Sequence, residues 1–471
     1  MLVSSPSAEC VAQLKAVLPH RVHLPDTDDY RTALGRVFFP DAARRRPSCV
    51  VEPASVEEVS TVMRVAHRTG GTVTVRGGGL SSNCVADDAV MLDLSAHLNT
   101  ARPEDDRVVV AGGATVGTML DALAPTGRVV PVGIVGHAGF GLVTRGGVGY
   151  LTRSLGLTID QLVEAELVLP SGEVVHLSDA STGDEADLWW AVRGCAPCFG
   201  VVTSAVLRTH PVGPVWVDRM VLGLEALATY FRVAPTLPRD TTIGAVLGYS
   251  ALSPDEPVLF VYTACASGDE SDIDRARSAA TTVADVSGKV LYRSEMSGTY
   301  LTGLPEFAPP GPDGEEPEPI RLPEPGERRG SFFGKAVFTG PTLDSQLAEA
   351  LATQIRGAPT RDCRIDFQHT GGALADVGDG DTAFWGRSGE WNIPLNAVWS
   401  DPYDGAACLS WAGGTLDALA PHTIGVYSVE VRPGFPETGA EIDAAYGGNL
   451  RRLRELRQRH DPMGVLTHYP L

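Results

Sequence analysis

The chain has 471 residues, with 38 Lys and Arg against 58 Asp and Glu and a formal net charge of −20. That length suits two to four compact units, and that charge repels polyanions, which excludes nucleic acid and anionic membrane surfaces as partners. With 43% hydrophobic residues, 52 glycines and 34 prolines, the composition fills a core and places many positions in turns. Eight cysteines are too sparse for a disulfide scaffold and read as reduced, buried thiols. Residues 1–20 lack a basic leader, and no apolar run reaches membrane length, so the chain reads as a cytoplasmic protein.

In chain order, Ser55 and Glu58 form a capping box ahead of Val56, Val59, Val62, Met63 and Ala66 at helical spacing, and Gly70-Gly71 stops the helix. Residues 72–75 are a β-branched strand running straight into Arg76-Gly77-Gly78-Gly79. Strands follow at 90–94 and 108–111, then a helix near 116–124. A second glycine-dense stretch holds Gly133, Gly136, Gly139, Gly141, Gly146, Gly147 and Gly149. Residues 162–169 and 174–177 predict a hairpin, 187–192 a short helix and 199–208 a buried strand. From about Val215 the pattern changes to helices near 272–286 and 343–355 among strands such as 256–263. Residues 305–325, with eight prolines, read as an exposed loop. The last helix runs from Tyr446 to His460, with Arg457 and His460 on a solvated face, and stops at Asp461-Pro462.

Glycine clusters at strand ends let backbone N–H groups approach a phosphate, because no Cβ intervenes. Either cluster alone reads equally well as a tight turn. A Rossmann fingerprint is disfavoured, since Gly79 opens into Leu80-Ser81-Ser82-Asn83 rather than a helix.

Taken in order, Val51-Glu52-Pro53, Val75 to Gly79, Ala111-Gly112-Gly113-Ala114, Pro131-Val132-Gly133, Gly146 to Arg153, Asp187 to Gly194 and Phe199 to Thr203 resemble the FAD-binding domain of the p-cresol methylhydroxylase/vanillyl-alcohol oxidase superfamily, in its berberine-bridge-enzyme-like branch. Tyr446, Asn449 and Asp461-Pro462 are similar to that family's last helix, and Gly371 to Ala373 with Asp381 to Arg387 more loosely to its substrate-domain sheet. The resemblance implies an α+β, two-domain fold with an antiparallel-sheet substrate domain covering the flavin. It implies an FAD domain at 1–215 (core 45–212), a substrate domain at 216–429 and a return segment at 430–471. It also implies hydride transfer from a small organic substrate, a secondary metabolite or alcohol, to FAD, with dioxygen as electron acceptor.

On this resemblance the cofactor-binding residues are Arg76, Gly77, Gly78, Gly79, Leu80, Ser81, Pro131, Gly136, His137, Gly141, Gly146, Gly147, Gly200, Val202, Tyr446 and Asn449. The family's covalent attachment histidine falls on Leu80 and its attachment cysteine on Ile134 or Val135, so the expectation is non-covalent FAD. The family's Tyr-x-Asn falls on Glu430-Val431-Arg432, which makes Glu430 a candidate general base. Tyr150, His137 and Gln368 are the other catalytic candidates; Gln368 and His369, as strand neighbours, face opposite ways. Cys195-x-x-Cys198 reads as two packed thiols, lacking a thioredoxin context and a second pair for zinc. No metal site is expected, and the chain is expected to be a monomer or homodimer. A non-redox cyclase or binding protein with FAD structural or lost is the open alternative.

Overall fold

In a computed structural model, which describes residues 6–133, 135–298, 315 and 330–471, the first capped segment is the helix Val56–Thr69. The Ser55 hydroxyl accepts from the Glu58 amide, the Glu58 carboxylate accepts from Ala54 N, and Gly70 closes the helix at φ 71°. Val59, Val62, Met63 and Ala66 turn one face into the core; each full-sized aliphatic side chain there contributes about 1.5–3 kcal/mol by burial. Strand Val73–Arg76 pairs parallel with Val90–Asp93, which pairs parallel with Cys49–Val51, and Val22–His23 completes this four-stranded sheet.

A second, antiparallel sheet orders Ala101–Glu104, Arg107–Ala111, Val201–Arg208, Leu162–Val168 and Val174–Ser178. It contains the expected hairpin and one strand, Ala101–Glu104, that sequence reasoning did not single out. The short helix expected at 187–192 runs over Asp184–Cys195 and is broken near its end by Gly194 at φ 139°.

The chain then builds one eight-stranded antiparallel sheet, ordered Val290–Gly298, Val215–Leu222, Ser253–Cys265, Thr241–Ser250, Arg364–His369, Trp391–Trp399, Ser331–Thr339 and Thr423–Val426. Its two faces belong to two cores. Ile243, Ala245, Leu247, Leu259 and Val261 pack with helices Leu227–Val233, Glu270–Ala284, Ser345–Arg356 and Gly405–Leu419. The alternating residues Val246, Val258, Phe260, Tyr262 and Ala264 join the core of the first half. Because both faces are covered, Thr241–Ser250 and Val215–Leu222 show none of the alternation of a half-exposed strand.

The C-terminal segment differs from the single helix expected. Thr438–Tyr446 is one helix, Gly447 breaks it at φ 45°, and Leu450–His460 is another. Arg457 is not on a solvated face: it donates to the carbonyls of Tyr469 (2.6 Å) and Leu466 (2.7 Å) and ties down the tail. His460 is half-buried as well, with its Nε2 enclosed. The tail returns to the first half, where Val73 N donates to Val465 O and Val75 N to the Tyr469 hydroxyl. All eight cysteines are buried and free. Apart from Glu315, the loop expected at 305–325 lies outside the described residues, as does Ile134. Among the described residues no helix is long and apolar enough to cross a membrane.

Candidate active site

A cleft of about 340 Å³ lies between the first half and the eight-stranded sheet, within the size range of small-molecule sites. Its floor is backbone: Gly77 to Ser81, Gly139 to Leu142, and Gly200 to Val202, flanked by Ala196 and Pro197. A Cβ on Gly78 would lie 2.3 Å from His137 O, one on Gly139 2.1 Å from Gly78 N, and one on Gly112 1.9 Å from Val202 O. Only glycine lets these loops meet. The N–H groups of Gly77 to Ser81 donate to no acceptor among the described residues, and Arg145, which also lines the cleft, has a buried Nε without a partner. A floor of unspent N–H donors beside a guanidinium suits a diphosphate.

The roof is one face of the sheet. Arg364, Asp366 and Gln368 alternate along Arg364–His369, and Asn392, Pro394 and Asn396 along Trp391–Trp399. Asn392 Nδ2 donates to Gln368 Oε1 at 2.6 Å and Asn396 Nδ2 to Asp366 Oδ2 at 2.7 Å. Burial raises the Asp366 carboxyl above its ordinary range, against the opposing pull of Arg364, 3.4 Å away, and Asn396. Tyr427, Val429, Glu430 and Tyr469 form the end wall. The Tyr427 hydroxyl accepts from Gly147 N (2.9 Å) and Val148 N (3.4 Å), while burial pushes it up to about 12.

Residues 47–178 match the FAD-binding domain family. Over 460 residues the chain is 25% identical to an FAD-linked oxidoreductase of Dictyostelium discoideum, covering 94% of this chain and 92% of that one. Over 196 residues it is 35% identical to the (R)-6-hydroxynicotine oxidase of Paenarthrobacter nicotinovorans, covering 37% and 42%. The protein is an FAD-linked oxidoreductase. The oxidoreductase shares its fold with BBE-like 1 of Physcomitrella patens, with a TM-score of 0.81 at 20% identity over 98% of this chain and 99% of that one.

Of the residues expected at the cofactor, Gly77, Gly78, Gly79, Leu80, Ser81, Gly141, Gly200 and Val202 line the cleft of the oxidoreductase, as do the catalytic candidates Gln368 and Glu430. The others are placed elsewhere. Arg76 is buried in an ion pair with Asp93 behind the loop. Pro131 O accepts from the Thr158 hydroxyl and Gly136 O from Gly117 N. His137 contributes its carbonyl to the packing on Gly78 rather than lining the cleft.

Gly146 and Gly147, at φ 138° and 81°, form the seat of Tyr427: a Cβ on Gly146 would meet the Tyr427 hydroxyl at 3.0 Å, and Gly147 N bonds to it. Tyr150 packs edge-on against Tyr262 at 5.0 Å within the core that joins the halves. Tyr446 receives the Cys195 thiol at 3.3 Å, and Asn449 donates to Asp379 O and Thr382 O.

The loosely matched segment 381–387 is not over the cleft. Ala383 N and Phe384 N bond to Trp190 O and Arg193 O, and Arg387 forms two 2.8 Å bonds with Asp160, riveting the halves together. Sequence reasoning missed Arg145, Arg364, Asp366, Asn392, Asn396, Tyr427 and Tyr469. The roof residues carried a usable signal, polar side chains at alternate positions on two strands, once the strands were paired.

Proposed function

We infer that this oxidoreductase holds FAD without a covalent bond and takes a hydride from a small organic substrate bound beneath the polar strand face. The observation that carries this reading is the cleft itself, a floor of glycine backbone with unspent N–H donors facing a roof of amides and carboxylates. Gly77 to Ser81, Gly139 to Gly141 and Gly200 to Val202 are the residues that would hold the cofactor. When bound, FAD supplies the hydride acceptor.

Leu80 and Val135 line the cleft where attachment residues would stand, and neither carries a nucleophile. Glu430 takes the proton from the substrate hydroxyl or amine as the hydride leaves. Gln368, oriented by Asn392, positions the substrate, and Asp366 accepts from its donor groups. Dioxygen is the proposed terminal acceptor, and the chemistry suits a secondary metabolite or alcohol.

The test is anaerobic addition of candidate alcohols and amines to the yellow protein. A substrate is expected to bleach the flavin band within one turnover. Turnover with the band unchanged would assign the cleft to non-redox chemistry.

A further inference from the structure

We propose that Cys195 and Cys198 are a peroxide-reactive dithiol that closes to a disulfide behind the cleft wall. Cys195 ends its helix and Cys198 ends the following 3₁₀ turn, Ala196–Cys198. Phe199 N and Gly200 N both bond to Ala196 O, at 2.9 and 3.1 Å, which holds the turn shut. Side chains three apart on such a turn lie over one another, the arrangement a short-span disulfide needs.

The pair is unequal. The neighbouring Cys195 lowers Cys198 to about 7, against burial and with help from the Arg457 and Arg145 charges. Burial pushes Cys195 the other way. Both guanidiniums are fixed in place, Arg457 by the carbonyls of Tyr469 and Leu466 and Arg145 by Ser428 O at 3.1 Å. Cys198 is thus the nucleophile and Cys195 the resolving thiol. The other cysteines lack this arrangement. Cys84 also lines the cleft, but burial pushes its thiol up to about 11. Cys363 and Cys408 lie 4.0 Å apart, with Cys408 pushed up to about 12 by burial.

Ala196 and Pro197, between the two cysteines, line the cleft, so the approach is from the cleft side and suits only a small oxidant such as a peroxide. The Cys198 thiolate attacks one peroxide oxygen. A sulfur–oxygen bond forms, the oxygen–oxygen bond breaks, and the departing alkoxide or hydroxide takes up the proton that Cys198 had released. Cys195 sulfur then attacks Cys198 sulfur, the sulfur–oxygen bond breaks, and water leaves with the Cys195 proton. Two thiols and one peroxide become one disulfide, one alcohol or water, and one water. The Cys195 bond to Tyr446 and the Cys198 contact with Tyr469 O at 3.9 Å are lost in the process, so the oxidised state alters support for Tyr469 at the cleft wall.

The test treats the full chain, loaded with its cofactor, with hydrogen peroxide, then alkylates under denaturing conditions and digests with trypsin. Cleavage after Arg193 and Arg208 puts both cysteines in one peptide, 194–208. Untreated, that peptide is expected to carry two alkyl groups; treated, none, at a mass two hydrogens lower, with dithiothreitol restoring both sites and the other six cysteines unchanged. The Cys195→Ser variant is expected to stop at a Cys198 sulfenic acid captured by dimedone, and Cys198→Ser to leave Cys195 alkylatable. A treated wild-type peptide that keeps both alkyl groups, or gains oxygen on one cysteine without forming the disulfide, overturns the proposal. So does a sulfenic acid on Cys195 in Cys198→Ser.

Discussion

Glu430 stands at the end wall of the cleft, close enough to strand position 334 that a Cβ on Gly334 would lie 3.3 Å from its Oε2. If it removes the substrate proton, Glu430→Gln lowers kcat by about 10²–10⁴-fold while the flavin content of the purified protein stays the same. Steady-state kinetics beside an absorption spectrum check this, and an unchanged kcat would move the base to another group. Gly78 tests the floor. Its added methyl would meet backbone rather than a movable side chain, 2.3 Å from His137 O and 2.5 Å from Gly139 N. Gly78→Ala therefore forces the loops apart and weakens FAD retention about tenfold or more, about 1.4 kcal/mol, read by flavin fluorescence titration.

At the scale of elements, strand Arg364–His369 serves two sites with its two faces. Gln368 looks into the cleft, while His369 lies behind it, stacked on Trp391 at 4.8 Å and bonded to Glu390 at 2.9 Å beside Arg153. His369 Nδ1 accepts from Ile243 N, so Nε2 carries the proton given to Glu390. Burial lowers His369 from 6.5 to about 4. The unfolded chain thus takes up a proton near pH 6.5 that the folded chain refuses until about pH 4. The stability this group contributes is present above pH 6.5 and lost as pH falls to about 4, by up to about 1.4 kcal/mol per pH unit. Urea denaturation between pH 7 and 4 is expected to show that slope, reduced in His369→Gln.

The capped helix, the glycine loop after Val73–Arg76 and the hairpin were legible because caps, breakers and turns are local rules. The roof was not. Asp366 and Asn396 meet across paired strands 30 residues apart in sequence, and the alternating polar residues of each strand form a roof only once those strands are paired. The packing partner of Gly146-Gly147 was hidden for a similar reason: Tyr427, whose hydroxyl accepts from Gly147 N, lies 280 positions later.

For the whole molecule, the halves are held by buried ion pairs as well as by the shared core. Arg387 grips Asp160 with two bonds, and Arg153 bonds Glu390 Oε1, Thr370 O, Thr241 O and Leu237 O. Arg387→Ala strands the Asp160 carboxylate in the seam and costs about 3–5 kcal/mol, read as a lower urea midpoint. Those contacts keep the polar roof over the glycine floor, and the cleft they enclose is where the flavin is proposed to sit without a covalent bond. The most direct measurement is acid precipitation of the yellow protein. Non-covalent binding is expected to leave a colourless pellet with all flavin in the supernatant; a yellow pellet, or a protein that takes up no FAD when offered it, would contradict it.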